Sequence, residues 1–489
     1  MYVKAKTNAS RSALSALTVS LAALLSACSV GPDYQRPDLP AVSSYARLDA
    51  TQRQEPAPEA GQAFWRGFND PELTKLVELA LRHNQDVQLA LANYQQANAM
   101  LGSAKYDLLP TITASSQASN ERSSADQQPG VAAAERDYHQ YQGSVGFSWE
   151  LDLFGRVRRS VEAQRADTRA SADDIAAMQV VVVGELAQTY FQLRGWQEQL
   201  NIVRDNAANQ AQTLSLLQLQ QGAGWPARLI VDRGRAQLET TRASIPPLEA
   251  QIAVATHRIG VLTGNVPEAL ISELETPAAL AQLSANVPMQ APGELLRRRP
   301  DVAAAEHRLA AATARIGVAT ADLFPHFTLG GLIGTQAFDA GALFARDSET
   351  RSLTLGVDGS FLNVGRVRAR IAASNAQSAG DLASYQKTVL TALEETENAL
   401  VQVSRSEQQR HHLEQAAAAS VRAAEVAKVR FDQGAIDLLE LLDAENVRLQ
   451  SQDALAQSRA RHTLAVVSLY RAMAGGWPEY VANEAPNKT

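Results

Sequence analysis

A single cysteine in 489 residues leaves this chain no disulfide framework. Basic residues are not in excess: 45 Lys and Arg stand against 52 Asp and Glu, for a net charge of -7. Phosphate contacts need a dominant basic surface, so gripping nucleic acid is excluded as the main business. Beyond the N-terminus no stretch of 18 or more uninterrupted apolar residues occurs, which excludes an ordinary transmembrane helix. If the protein crosses a membrane, it does so as strands. Proline is missing from 156 to 224 and again from 326 to 477. What is abundant is apolar content, 45% of residues at a mean hydropathy of -0.20, which excludes disorder for most of the chain. Length alone suggests about three ordinary domains.

At the N-terminus Lys4, Lys6 and Arg11 precede an apolar run, 13–25, too short for a convincing span but laid out as a secretory signal. The run ends in Leu25-Ser26-Ala27-Cys28, which resembles the bacterial lipobox, in which the cysteine becomes the lipidated first residue. The other reading of Cys28 is a leftover free thiol. Ser29 after it is compatible with outer-membrane sorting, as the resemblance implies. Residues 29–62 hold Pro32, Pro37, Pro40, Pro56 and Pro58 and read as an extended tether.

The rest is doubled. Asp86, Val87 and Pro110 recur as Asp301, Val302 and Pro325, each 215 positions later, and the run Gly146 to Arg158 recurs as Gly356 to Arg368 at an offset of 210. Each copy opens with a helical segment, expected over 73–105 and 302–320. Two strands follow, the first of each pair beginning at Pro110 or Pro325, with long polar loops at about 120–141 and 335–350. Val145, Phe147, Trp149 and Leu151 alternate with Ser144, Gly146, Ser148 and Glu150. In the second copy Leu353, Leu355, Val357 and Phe361 oppose Ser352, Thr354, Asp358 and Ser360. Such alternation suits a barrel wall between lipid and water, and equally a half-buried sheet in a soluble sandwich. Four strands cannot close a water-filled barrel, so a barrel requires several chains.

Each strand pair leads into a long helix, about 156–224 and 366–432; the latter would be roughly 100 Å long at 1.5 Å per residue. The first breaks at Gly222-Ala223-Gly224-Trp225-Pro226, the second at Gly434, where Asp437 and Glu440 form a candidate capping box. Returning helices are expected over 227–263 and 437–474, the former kinked at Ile245-Pro246-Pro247. The expected organisation is a signal (1–27), a lipidated tether (28–62), a first repeat (63–264), a connector (265–300), a second repeat (301–476) and a tail (477–489).

Together the lipobox, the Gly31-Pro32-Asp33-Tyr34 that follows it, the stretch from Arg297-Arg298-Arg299-Pro300-Asp301-Val302 to Ile316-Gly317, and the paired Gly155-Arg156-Val157-Arg158 and Gly365-Arg366-Val367-Arg368 resemble the outer-membrane efflux lipoproteins of the TolC, OprM and NodT type. The resemblance implies a mainly α protein with a membrane β-barrel. Three copies would contribute four strands each to a 12-stranded barrel, continued by an α-helical periplasmic tunnel. It implies a homotrimer in outer-membrane lipid, meeting a periplasmic adaptor and an inner-membrane pump, with no cofactor, no metal and no enzymatic chemistry. The expected function is passive export of small toxic compounds or drugs; the alternative is a duct for type I protein secretion.

The resemblance also places the site. The tip that would contact the adaptor falls at Gly224, Trp225, Gly434, Ala435 and Ile436. Glu440 and Asp443 fall where acidic residues ring the pore, beside Phe431. Three copies would bring like carboxylates towards one axis. Glu440 as a mere cap and Asp443 as a solvated face remain the other reading. In the first repeat the corresponding acid position is Ile230, and Asp232 lies two residues on. Arg297, Arg298 and Arg299 read as a salt-bridged or solvated surface. His411 and His412, adjacent on a helix, lack the spacing of a metal pair.

Overall fold

The computed structural model describes residues 29–38, 44–46, 64–222, 228–278, 280, 292–360 and 362–473. Cys28, Gly224, Trp225, Phe361, the connector residues 279 and 281–291 and the tail lie outside the described residues.

In chain order the elements are α1 (Pro71–His83), α2 (Gln85–Tyr106), β1 (Thr111–Arg122), β2 (Asp137–Leu151), α3 (Arg156–Gly222), α4 (Arg228–Ala243), α5 (Ile245–Leu262), the short α6 (Ile271–Leu274) and α7 (Pro292–Arg298), α8 (Pro300–Ala321), β3 (His326–Ala337), β4 (Glu349–Asp358), α9 (Val364–Asp432) and α10 (Leu438–Ala472). The order helix, strand, strand, long helix, returning helix occurs twice. The strands run further than expected, so the loops shorten to 123–136 and 338–348. Ser360 lies beyond the end of β4.

The single helix expected over 73–105 is two helices. Asn84 takes an extended conformation (φ -62°, ψ 131°), and its side-chain oxygen caps α2 by accepting from the Asp86 and Val87 N–H groups. Its amide nitrogen donates to the Leu262 carbonyl at 3.0 Å, which explains why a buried Asn sits at the break. The kink expected at the double proline falls between α4 and α5, where Ser244 alone separates the two helices in an αR conformation and Pro246 stands in the first turn of α5, where a missing N–H costs nothing.

The chain divides into two compact units. One comprises 1–37, 93–171 and 304–386, the other 38–92, 172–303 and 387–489.

The second unit holds the main apolar core. Leu73, Leu76, Val77 and Ala80 follow helical spacing along one face of α1 and are fully buried. They share a cluster with Leu186, Tyr190 and Phe191 of α3 and Ile259 of α5. Burying a leucine or phenylalanine of this kind contributes about 1.5–3 kcal/mol. Asp70 ties the cluster together: one carboxylate oxygen accepts from the Glu72 and Leu73 N–H groups at the start of α1, and the other accepts from the Tyr190 hydroxyl at 2.7 Å. Of the Arg297 to Arg299 run, the first two are exposed. Arg299 is buried and ion-paired with Asp301 and Glu395.

The first unit holds the sheet, in the order β1-β2-β3-β4 with every pairing antiparallel. Among the described residues no helix is long and apolar enough to cross a membrane.

Candidate functional site

The strand register sorts the sheet into two faces. Directly paired residues share a face, and the pairs Ile112–Phe147, Phe147–Gly331 and Gly331–Leu353 run across all four strands. So do Ala114–Val145, Val145–Ile333 and, at the loop end of the sheet, Ile333–Arg351. Trp149, Leu329 and Leu355 form the next row. The opposite face carries Thr113, Gly146, Leu332 and Ser352 in one row and Thr111, Ser148, Gly330 and Thr354 in another. Across these rows one face is apolar apart from Arg351, and the other is Ser, Thr and Gly apart from Leu332.

The apolar face has no cover among the described residues. Ile112 is 73% exposed, Ile333 69%, Leu353 75% and Leu355 61%. A sheet in a soluble sandwich would bury these side chains against a second layer; contiguous exposure on this scale marks an interface with lipid or protein. Gly331 allows the face to pack tightly, because a side chain there would collide with the Phe147 ring.

β1 and β4 each pair on one side only among the described residues, which leaves two long open edges. An open edge templates further pairing. Among the described residues the sheet is thus incomplete.

At the helix end of the sheet the polar face becomes charged. Glu150 accepts a fork from Arg156, with Nε at 2.8 Å. His326 Nδ1 lies 3.4 Å from Glu150, and its other ring nitrogen lies 3.7 Å from Asp322, which also pairs with Arg370 at 3.5 Å.

The tip of the second repeat closes by a Schellman turn. Gly434 has a φ of 72°, its N–H donates to Phe431 O at 2.8 Å, and the Ala435 N–H donates to Arg430 O at 2.8 Å. Asp437 then caps α10 by accepting from the Glu440 N–H at 3.0 Å. It is the backbone of Glu440 that engages the cap. Its carboxylate and that of Asp443 are exposed one helical turn apart. Phe431, half-buried, packs with Leu442 and Ile230 against a cluster formed by Leu214, Leu217, Val231, Leu438 and Leu441. Ala435 is exposed and Ile436 half-buried. Asp232 pairs with Arg228 at 3.6 Å on its own helix, unlike Asp443, for which no ion pair is present among the described residues. Gly224, Trp225 and Cys28 lie outside the described residues.

Sequence reasoning passed over Arg159, Glu162 and Glu306. Their only signal was asymmetry, since the matching positions of the other repeat hold Ala369, Ala372 and Leu91. His411 contacts Gln415, and no group of three or more potential metal ligands occurs among the described residues.

A wall with an apolar outer face, a polar inner face and unsatisfied edges, carried on very long helices, defines an outer-membrane channel. The family model for outer membrane efflux proteins matches residues 76–265 and again 291–475. The chain belongs to that family. The Pseudomonas aeruginosa outer membrane protein OprJ is 30% identical over 470 residues, covering 95% of this chain and 96% of OprJ. The pyoverdine export outer membrane protein OpmQ of Pseudomonas putida is 32% identical over 421 residues, covering 85% and 88%. Among solved structures, the outer-membrane channel OprN superposes with a TM-score of 0.84 at 37% identity, covering 92% of this chain and all of that one.

Proposed function

We propose that this chain is the outer-membrane duct of a tripartite efflux system, through which small compounds pass passively from a periplasmic adaptor and inner-membrane pump to the exterior. The observation that carries the proposal is the sheet: among the described residues its apolar face lacks cover and its two edges lack partners. Pairing β1 of one copy with β4 of the next satisfies both edges and points every apolar face outward. Three copies of the four-stranded sheet give twelve strands, wide enough for a water-filled lumen. The polar face then lines that lumen, with little to select one cargo over another, and the duct itself hydrolyses nothing. Relatives named for small-molecule export, such as OpmQ, favour efflux over polypeptide secretion.

Cys28 is the acyl anchor in this reading. Glu440 and Asp443 form the acidic ring of the periplasmic gate, with Phe431 seating the turn behind them. Asp232 is the first repeat's candidate for the ring, paired with Arg228 on its own helix. Gly224 and Trp225, together with the turn at Gly434, Ala435 and Ile436, meet the adaptor. In this reading the duplicated repeats span 63–264 and 301–476, each divided between the two compact units.

Reconstitution into planar bilayers tests the proposal. Purified protein assembled as trimers is expected to give discrete conductance steps. Protein that inserts but conducts nothing overturns the duct.

A further inference from the structure

The residues that follow Cys28 are bound down rather than loose, and the repeat supplies an internal control. The Val30 N–H donates to Phe154 O at 3.2 Å. The guanidinium of Arg159, its side chain 5% exposed, donates to the carbonyls of Val30 and Gly31 and forms an ion pair of 2.6 Å with Asp33. Glu162 holds the same guanidinium from the side at 2.8 Å. Further along, Glu306 accepts from Tyr34 and from Arg36. Two glycines make the seat. A side chain on Gly31 would strike the Gly317 backbone, and one on Gly155 would lie 2.9 Å from the Ser29 Cα.

The matching positions of the other repeat lack every one of these features. Gly102 corresponds to Gly317 and Gly365 to Gly155, yet a side chain at either would meet no described atom within 4 Å. Ala369, Ala372 and Leu91 replace Arg159, Glu162 and Glu306. Two places related by duplication have thus diverged, and among the described residues only the one with the arginine clasp carries a segment of this chain.

We propose that residues 29–37 are a built-in strap, clasped by Arg159 and seated on Gly317 and Gly155, that fixes the anchored N-terminus at the foot of the sheet. It rests on the reading of Cys28 as the acylated residue. Ser29 lies against Gly155, four residues beyond the end of β2. The acyl chains of the adjoining Cys28 therefore enter the bilayer beside the apolar face of the sheet, and the strap holds them there by contacts independent of the lipid.

Hydrogen exchange on the full-length protein in outer-membrane vesicles, with the mass of the N-terminal peptide read in the same digest, tests this. The amides of 29–37 should be protected in the wild type. They should stay protected in Cys28→Ser exported on a signal cleaved by the general signal peptidase. Arg159→Ala, which installs the residue native to the second repeat, should speed their exchange about tenfold or more while leaving the acyl mass unchanged. Ala369→Arg should match the wild type. Free exchange of 29–37 in the wild type, or no response to Arg159→Ala, would overturn the strap. Protection that disappears in Cys28→Ser would also overturn it, by showing that the lipid does the holding. A protected strap on a peptide without acyl mass would overturn the anchor assignment.

Discussion

Arg299 Nη1 donates to the carbonyl oxygen of Ala472, the last residue of α10, at 3.1 Å. The same guanidinium grips Asp301 through two bonds of 3.0 and 2.7 Å and pairs with Glu395 at 2.8 Å. One buried arginine thereby ties the start of α8 to α9 and satisfies a carbonyl at a helix end that would otherwise go unpaired.

Arg299→Ala should therefore be among the most damaging substitutions in the second unit. Removing one partner of a buried pair costs about 3–5 kcal/mol; because Asp301 and Glu395 are more than a third exposed, the expected loss here is nearer 2 kcal/mol. Arg299→Lys keeps the charge but cannot fork, and should recover only part of the loss. Denaturant unfolding of the two variants beside the wild type checks this.

The two faces of the sheet should differ sharply in tolerance. Leu355→Arg places a charge on the exposed apolar face and should cost about 2–4 kcal/mol if that face meets lipid. Thr354→Arg, on the opposite face of the same strand, should assemble normally. The yield of folded protein in the outer-membrane fraction separates the two.

At the tip, capping and gating can be pulled apart. Asp437 holds the Glu440 backbone, so Asp437→Ala should lower stability by about 1 kcal/mol. Glu440→Gln and Asp443→Asn should leave stability unchanged and alter cation preference or conductance in bilayers. Stability loss with unchanged conductance would return both carboxylates to a structural role.

His462 gives the second unit an acid-sensitive contact. Its Nδ1 meets Ser406 Oγ at 3.0 Å and its Nε2 lies 3.4 Å from the Glu407 carboxylate, which Arg410 holds below the usual carboxylate range. Burial pushes the imidazole below its ordinary value, with Glu407 opposing and Arg410 assisting. The folded histidine therefore stays neutral where the unfolded one, titrating near pH ~6.5, takes up a proton. Its contribution is full above that pH and is lost as pH falls towards the depressed value. The melting temperature should drop on acidification from about pH 7.5 to about 5.5, and drop less in His462→Gln.

Much of this was legible in the sequence because it is periodic. The alternation of Val145, Phe147 and Trp149 against Ser144, Gly146 and Ser148 fixes strand, face and register at once, since a slip of one residue would turn every side chain over. The long helices declared themselves by lacking proline, and Gly434 by being a glycine where a helix must end. The break at Asn84 was not legible. Nothing local distinguishes it from an exposed Asn in a helix, because its reason is the Leu262 carbonyl 178 positions away. Arg159 was hidden in the same way. It looks like one more surface charge until Asp33 and Gly31 are seen against it. The acidic pair at the tip could be placed only through resemblance, since exposure on one helix face is all that a single chain displays.

In the proposed duct, separate chains close one barrel through the open edges β1 and β4. Cysteine pairs placed along the two edges, such as Thr113→Cys with Thr354→Cys and positions stepped along β1 from there, test it directly in intact membranes. The predicted result is an interchain disulfide ladder that ends at covalent trimers, formed at one register and absent at its neighbours. No cross-link at any register, or a ladder that continues past three, would contradict it.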